Sequence, residues 1–101
     1  MKYFTKKLAL VFAASAVVAS TSYATDMTVV SWGGAYQISQ QKAYTEPYSA
    51  ANGVNFVWDE SSGEAVNKLR LQAESGDISW DVVDVVAADA MRLCDEGLVE
   101  V

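Results

Sequence analysis

A chain of 101 residues with 7 basic residues, 13 acidic residues and no histidine carries a formal charge of −6, which disfavours nucleic acid and anionic membrane surfaces as partners. The lack of histidine removes the commonest general base, and the single cysteine, Cys94, leaves no metal-spaced thiolate cluster. What remains is an acidic chain suited to cationic ligands or to plain solubility.

The N-terminus reads as an export signal. Lys2, Lys6 and Lys7 form a positive leader, Leu8 to Ala19 is almost wholly apolar, and Ser22-Tyr23-Ala24 places small residues where a signal peptidase cuts. A membrane-spanning helix needs roughly 20 apolar residues, and this run has 12. Residues 1–24 are therefore expected to be a cleavable secretory signal peptide, with no cysteine at the cut for a lipid anchor. Residues 25–101 then keep four basic and all thirteen acidic residues, a net charge of −9. Exported domains of this size usually lean on disulfides, and one cysteine forms none alone. With the apolar stretch Leu98-Val99-Glu100-Val101, this predicts the first part of a longer protein. Cys94 is expected to be a buried small hydrophobe, or else half of a disulfide with a later partner. A catalytic thiol would have no histidine to activate it.

Met27–Trp32, short and β-branched, predicts a buried strand closed by Gly33-Gly34. Residues 35–51 predict a helix with Ile38, Tyr44, Tyr48 and Ala51 on its core face, interrupted at Pro47, which disfavours a helical Glu46 before it. Asn52-Gly53 ends it, with Gly53 suited to a left-handed cap. Val54–Trp58 alternates as a second strand. Ser61-Ser62-Gly63-Glu64 fits a capping box in which Ser61 and Glu64 satisfy each other's backbone donors. The helix after it places Ala65, Val66, Leu69 and Ala73 on one face and stops at Gly76. Trp80–Ala87 predicts a third, most apolar strand covered on both faces, followed by a helix over Ala88–Glu96 and a stop at Gly97. The order β-α-β-α-β-α makes the class α/β with a parallel sheet.

Ligands of open parallel sheets gather at the carboxyl ends of the strands, beside the helix N-termini. That rule selects the loops containing Trp32-Gly33-Gly34-Ala35-Tyr36, Glu60-Ser61-Ser62-Gly63 and Ala87-Ala88-Asp89. Trp32 and Tyr36 offer π faces to a cation or an alkyl chain, against the alternative that they only pack. Gly33, Gly34, Ser61 and Ser62 bring backbone donors within reach of a ligand, although the serines could serve as caps alone. Asp89 opens a helix and complements its dipole, or contacts ligand. Asp84 lies inside an apolar strand on the face of Val82 and Val86, so it needs a lysine or backbone donors as partners, or else reaches the cleft and binds a cation. The sequence has no GxGxxG, no P-loop, no metal-spaced ligands and no serine beside a base. No catalytic residue, metal or cofactor is expected.

The runs VVSWGGAYQISQQKAYTEPYSAANGVNF and WDVVDVVAADAMRLCDEGLVEV resemble the N-terminal portion of ABC-transporter substrate-binding proteins of the spermidine/putrescine-binding family. The resemblance covers essentially all of residues 25–101. It implies the first α/β lobe of a two-lobed, type II-like periplasmic binding protein that closes on its ligand by a hinge, here incomplete. It further implies a periplasmic location, a polyamine or similar small cation as ligand, and an inner-membrane ABC permease as partner. Trp32 and Tyr36 match the aromatic positions that embrace a polyamine in the family, whereas Gly33-Gly34 stand where its members often carry an acidic residue. Two alternatives stay open: a binding protein of this fold for a sugar or an anion, served by backbone donors, and an exported α/β enzyme with catalytic residues beyond Val101.

Overall fold

The computed structural model describes residues 25–100, so the expected signal peptide and its cleavage point lie outside the described residues. Strand β1 (Thr25–Val30) leads to helix α1 (Gly34–Gln40), a π-helical turn at Gln41–Thr45 and helix α2 (Glu46–Asn52). Strand β2 (Val54–Asp59), a 3-10 turn at Ser62–Glu64 and helix α3 (Ala65–Ser75) follow, then strand β3 (Val82–Val83) and helix α4 (Ala87–Asp95). The sheet is parallel, in the order β2-β1-β3. The register aligns Thr25 with Val54 and Val30 with Asp59 on one side, and Val29 with Val82 on the other. The α/β class with a parallel sheet is the one expected from the alternating pattern.

The core lies on one face of this sheet. Val30 and Leu93 are almost wholly buried there, joined by Ala65, Val66, Leu69 and Trp80, with Val83, Val85, Leu98 and Val99 packed around them. Helix α3 thus buries three of the four expected positions, while Ala73 stays exposed. The opposite face is more open, with Val29 buried on it. Met27, Val29, Phe56, Trp58 and Val82 line a groove of about 430 Å³ whose far wall is Tyr44 and Tyr48. Tyr48 meets Phe56 edge to face at 6.0 Å between centroids. Tyr44 and Tyr48 therefore address the sheet as expected but stay exposed, as does Ile38; the buried residue of α1 is Gln37.

Three local expectations are corrected. The helix does come in two pieces, with Pro47 in the first turn of α2, but Glu46 before it is helical at φ −61° and ψ −50°, and a π-helical turn precedes it. Pro47 has no N–H to give to the preceding turn, so the extra residue of a π turn spares the helix the clash and the unmade bond. The third strand is two residues long instead of eight. Asp81 Oδ2 takes the Thr28 N–H at 2.8 Å, a donor that a ladder carbonyl would otherwise receive. Beyond Val83, the Asp84 carbonyl turns to accept from Ser62 Oγ, and the ladder ends. Cys94 is exposed and unpaired among the described residues, not buried. Its neighbour Leu93 fills the inward position of α4 instead. Gly53 does adopt the left-handed cap, at φ 66°.

Candidate ligand-binding site

All three parallel strands point their carboxyl ends at one edge, where the N-termini of α1, the 3-10 turn and α4 also lie. Backbone bonds join the first two loops. The Ser31 N–H donates to the Asp59 carbonyl at 2.8 Å, and the Ser62 N–H donates to the Ser31 carbonyl at 3.2 Å. Asp84 ties in the third. Its Oδ2 accepts from the Tyr36 hydroxyl at 2.7 Å and from Gln40 Nε2 at 2.6 Å. Tyr36 and Gln40 are four residues apart, so both project from one face of α1. Gln40 Oε1 in turn accepts from the buried Ser31 hydroxyl. Asp84 therefore meets neither a lysine nor backbone donors for its carboxylate, contrary to the expected partners; a phenol and an amide from α1 serve instead.

Trp32, 44 % exposed, leaves its ring against the loop of β2: a methyl group added to Gly63 would lie 3.8 Å from the Trp32 ring. Tyr36 is 53 % exposed beside it along the chain. Gly33 adopts φ 74° and ψ −174°, a conformation essentially restricted to glycine. Its N–H is taken by Gln37 Oε1 at 3.1 Å. A methyl group on Gly33 would come within 3.0 Å of the Glu60 carboxyl carbon. A carboxylate thus stands against Gly33, contributed by the end of β2. Gly34, also at positive φ, faces open space.

The second loop is committed inward. Ser62 is 1 % exposed and donates to the Asp84 carbonyl. Ser61 does not form the expected capping box: its side chain caps no helical N–H, and Glu64 pairs with Lys68 at 3.4 Å instead. Lys68 Nζ also donates to Ser61 Oγ at 2.8 Å and sits 6.0 Å from the Trp80 ring centroid. Asp59 receives the Ser61 N–H at 2.8 Å and the Trp80 indole N–H at 3.3 Å. Hydrogen bonding from the Ser61 side chain is the main cause that holds the Asp59 carboxyl below the usual carboxylate range; burial opposes it, and Lys68 adds to it. Asp89 sits half-buried in the first turn of α4; no side-chain hydrogen bond joins it to the cluster around Asp84.

The structure thus places Trp32, Gly33, Gly34, Tyr36, Ser61, Ser62 and Asp89 along one edge; Asp84 ties Tyr36 to Ser62, Ser61 is held by Asp59 and Lys68 and Gly33 by Gln37, while Trp32, Gly34 and Asp89 stay outside these bonds. Gln37 and Gln40 were missed, and Glu60, inside the second expected loop, was not singled out as a site residue. Their signal was positional: Gln37 and Gln40 share a helix turn with Tyr36, and Glu60 follows directly on the alternating second strand. Among the described residues no group of His, Cys, Asp or Glu is arranged to hold a metal ion.

Residues 43–100 match a family described as bacterial extracellular solute-binding protein. The chain is also 41 % identical over 91 residues to the gamma-aminobutyric acid-binding protein of Pseudomonas aeruginosa. That alignment covers 90 % of this chain and 24 % of the relative, so the chain spans about a quarter of the length of the curated protein it matches.

Proposed function

The chain belongs to the bacterial extracellular solute-binding proteins, and from that premise we propose that the full-length protein is an exported receptor for a small amine, delivering it to an inner-membrane ABC permease. The observation that carries the ligand class is the direction of the polar groups at the site. The hydroxyls of Ser31, Tyr36 and Ser62 all donate inward, and Lys68 is held by Glu64 and Ser61. Outward stand the faces of Trp32 and Tyr36 and the carboxylate of Glu60 beside Gly33. Aromatic faces and acceptors suit an ammonium group, each cation–π contact contributing about 0.5–2 kcal/mol. An anion or a sugar would find the side-chain donors of Ser31, Tyr36, Ser62 and Lys68 already engaged.

Within the amines, the relative's printed ligand supports γ-aminobutyrate, and the family resemblance supports putrescine or spermidine. We favour the ω-amino acid, because 41 % identity across the segment is closer support than the resemblance. Residues 1–24 act in this reading as the signal peptide and the periplasm as the compartment. Isothermal titration of the full-length protein decides the matter. Binding of γ-aminobutyrate or putrescine, with none of glucose or sulfate, is the expected outcome. Binding of glucose or sulfate without either amine would defeat the proposal.

A further inference from the structure

We propose that Asp84 is a positioning residue that fixes Tyr36 as a hydrogen-bond acceptor towards the cleft, so that this segment receives the ammonium end of the ligand. The inference rests on the amine-receptor reading and adds the ligand's orientation. A phenol has one proton. In Tyr36 that proton is donated to Asp84 Oδ2, 2.7 Å from the hydroxyl oxygen, which leaves only lone pairs and the ring face for a ligand. The arrangement is held from behind. Gln40 Nε2 donates to the same carboxylate oxygen, and the other end of that amide is held by Ser31, which is wholly buried. Turning the Gln40 amide round would set its oxygen against the Asp84 carboxylate, so Asp84 also fixes Gln40. The Asp84 carbonyl is itself anchored by Ser62. Every link from the buried Ser31 to the exposed Tyr36 is therefore directional, and the direction leaves an acceptor at the surface. A ligand carboxylate would meet the lone pairs of Tyr36 and the Glu60 carboxylate here, so it turns towards residues outside 25–100.

The test uses the full-length protein and its Asp84→Asn and Tyr36→Phe variants, titrated with γ-aminobutyrate, putrescine and butyrate, which lacks the ammonium group. Ultraviolet difference titration against Tyr36→Phe isolates the Tyr36 phenol, which its hydrogen bond to Asp84 now holds above its ordinary value. In Asp84→Asn the phenol is expected to titrate at lower pH. Both amines should bind about tenfold more weakly in that variant and several-fold more weakly in Tyr36→Phe, on the scale of a lost hydrogen bond to a charged group. Amine affinities within about twofold of wild type in both variants, the scale of less than one such bond, would overturn the inference and leave the receptor reading standing. An unmoved phenol titration in Asp84→Asn would overturn it as well. Wild-type protein that binds neither amine overturns the reading and the inference together. Tyr36 is exposed, so Tyr36→Phe decides the question if Asp84→Asn fails to fold.

Discussion

Gly33 holds the first loop in a shape no other residue adopts cheaply. At φ 74° and ψ −174° an L side chain pays backbone strain of about 1–3 kcal/mol, and a methyl group would also press on Glu60 at 3.0 Å. Gly33→Ala should therefore lower stability by roughly that amount, as read by urea unfolding. It should also weaken amine binding, because relief comes by displacing the Glu60 carboxylate or the Trp32 loop. A variant as stable as wild type would show that the loop has another shape. The pair Gly33-Gly34 marked a turn in the sequence and Glu60 stood in the second expected loop, but the closeness of the two was not legible. Glu60 is 27 positions away in the chain, and only the β1–β2 register brings it close.

At the scale of elements, hydrophobic period put the elements in the right order, while the expected core face of residues 35–51 (Ile38, Tyr44, Tyr48 and Ala51) stays exposed and the other departures have local chemical causes. Strand β2 and helix α3 lie where alternation and the 3.6-residue period put them. The third strand was overestimated because WDVVDVVA looks uniformly apolar, while two aspartates set its length: Asp81 replaces a ladder acceptor, and Asp84 looks to α1. A capping box was expected from the spacing of Ser61 and Glu64, but Lys68, one turn on, draws Glu64 away. Such competition between side chains is invisible to a motif. Asp59 links β2 to the same region through Ser61 and Trp80, and its carboxyl is held below the usual range. A depressed folded-state value contributes stability above the unfolded value of about 3.9, and the contribution fades as pH falls through the folded value. Unfolding measured between about pH 5 and pH 2 should show that loss, and Asp59→Asn should flatten it. Equal acid slopes in both proteins would remove Asp59 from the account.

For the whole molecule, the sheet has apolar grooves on both faces. One is walled by Tyr44, Tyr48, Phe56 and Trp58, the other by Ile78, Trp80, Leu93 and Leu98. Strand β3 also leaves Val82 exposed at an edge, and such an edge invites pairing. Residues 25–101 produced alone should therefore bind a hydrophobic dye, associate, and unfold without a sharp transition. Monomeric, cooperative unfolding without dye binding would contradict this. Meanwhile the three loops of the site are fastened from behind, by Ser62 on the Asp84 carbonyl and by Asp84 on α1. Trp32, more than two-fifths exposed, takes no part in that fastening. Under the proposed reading, the ring at position 32 is therefore free to be exchanged without rebuilding the scaffold that holds the loops.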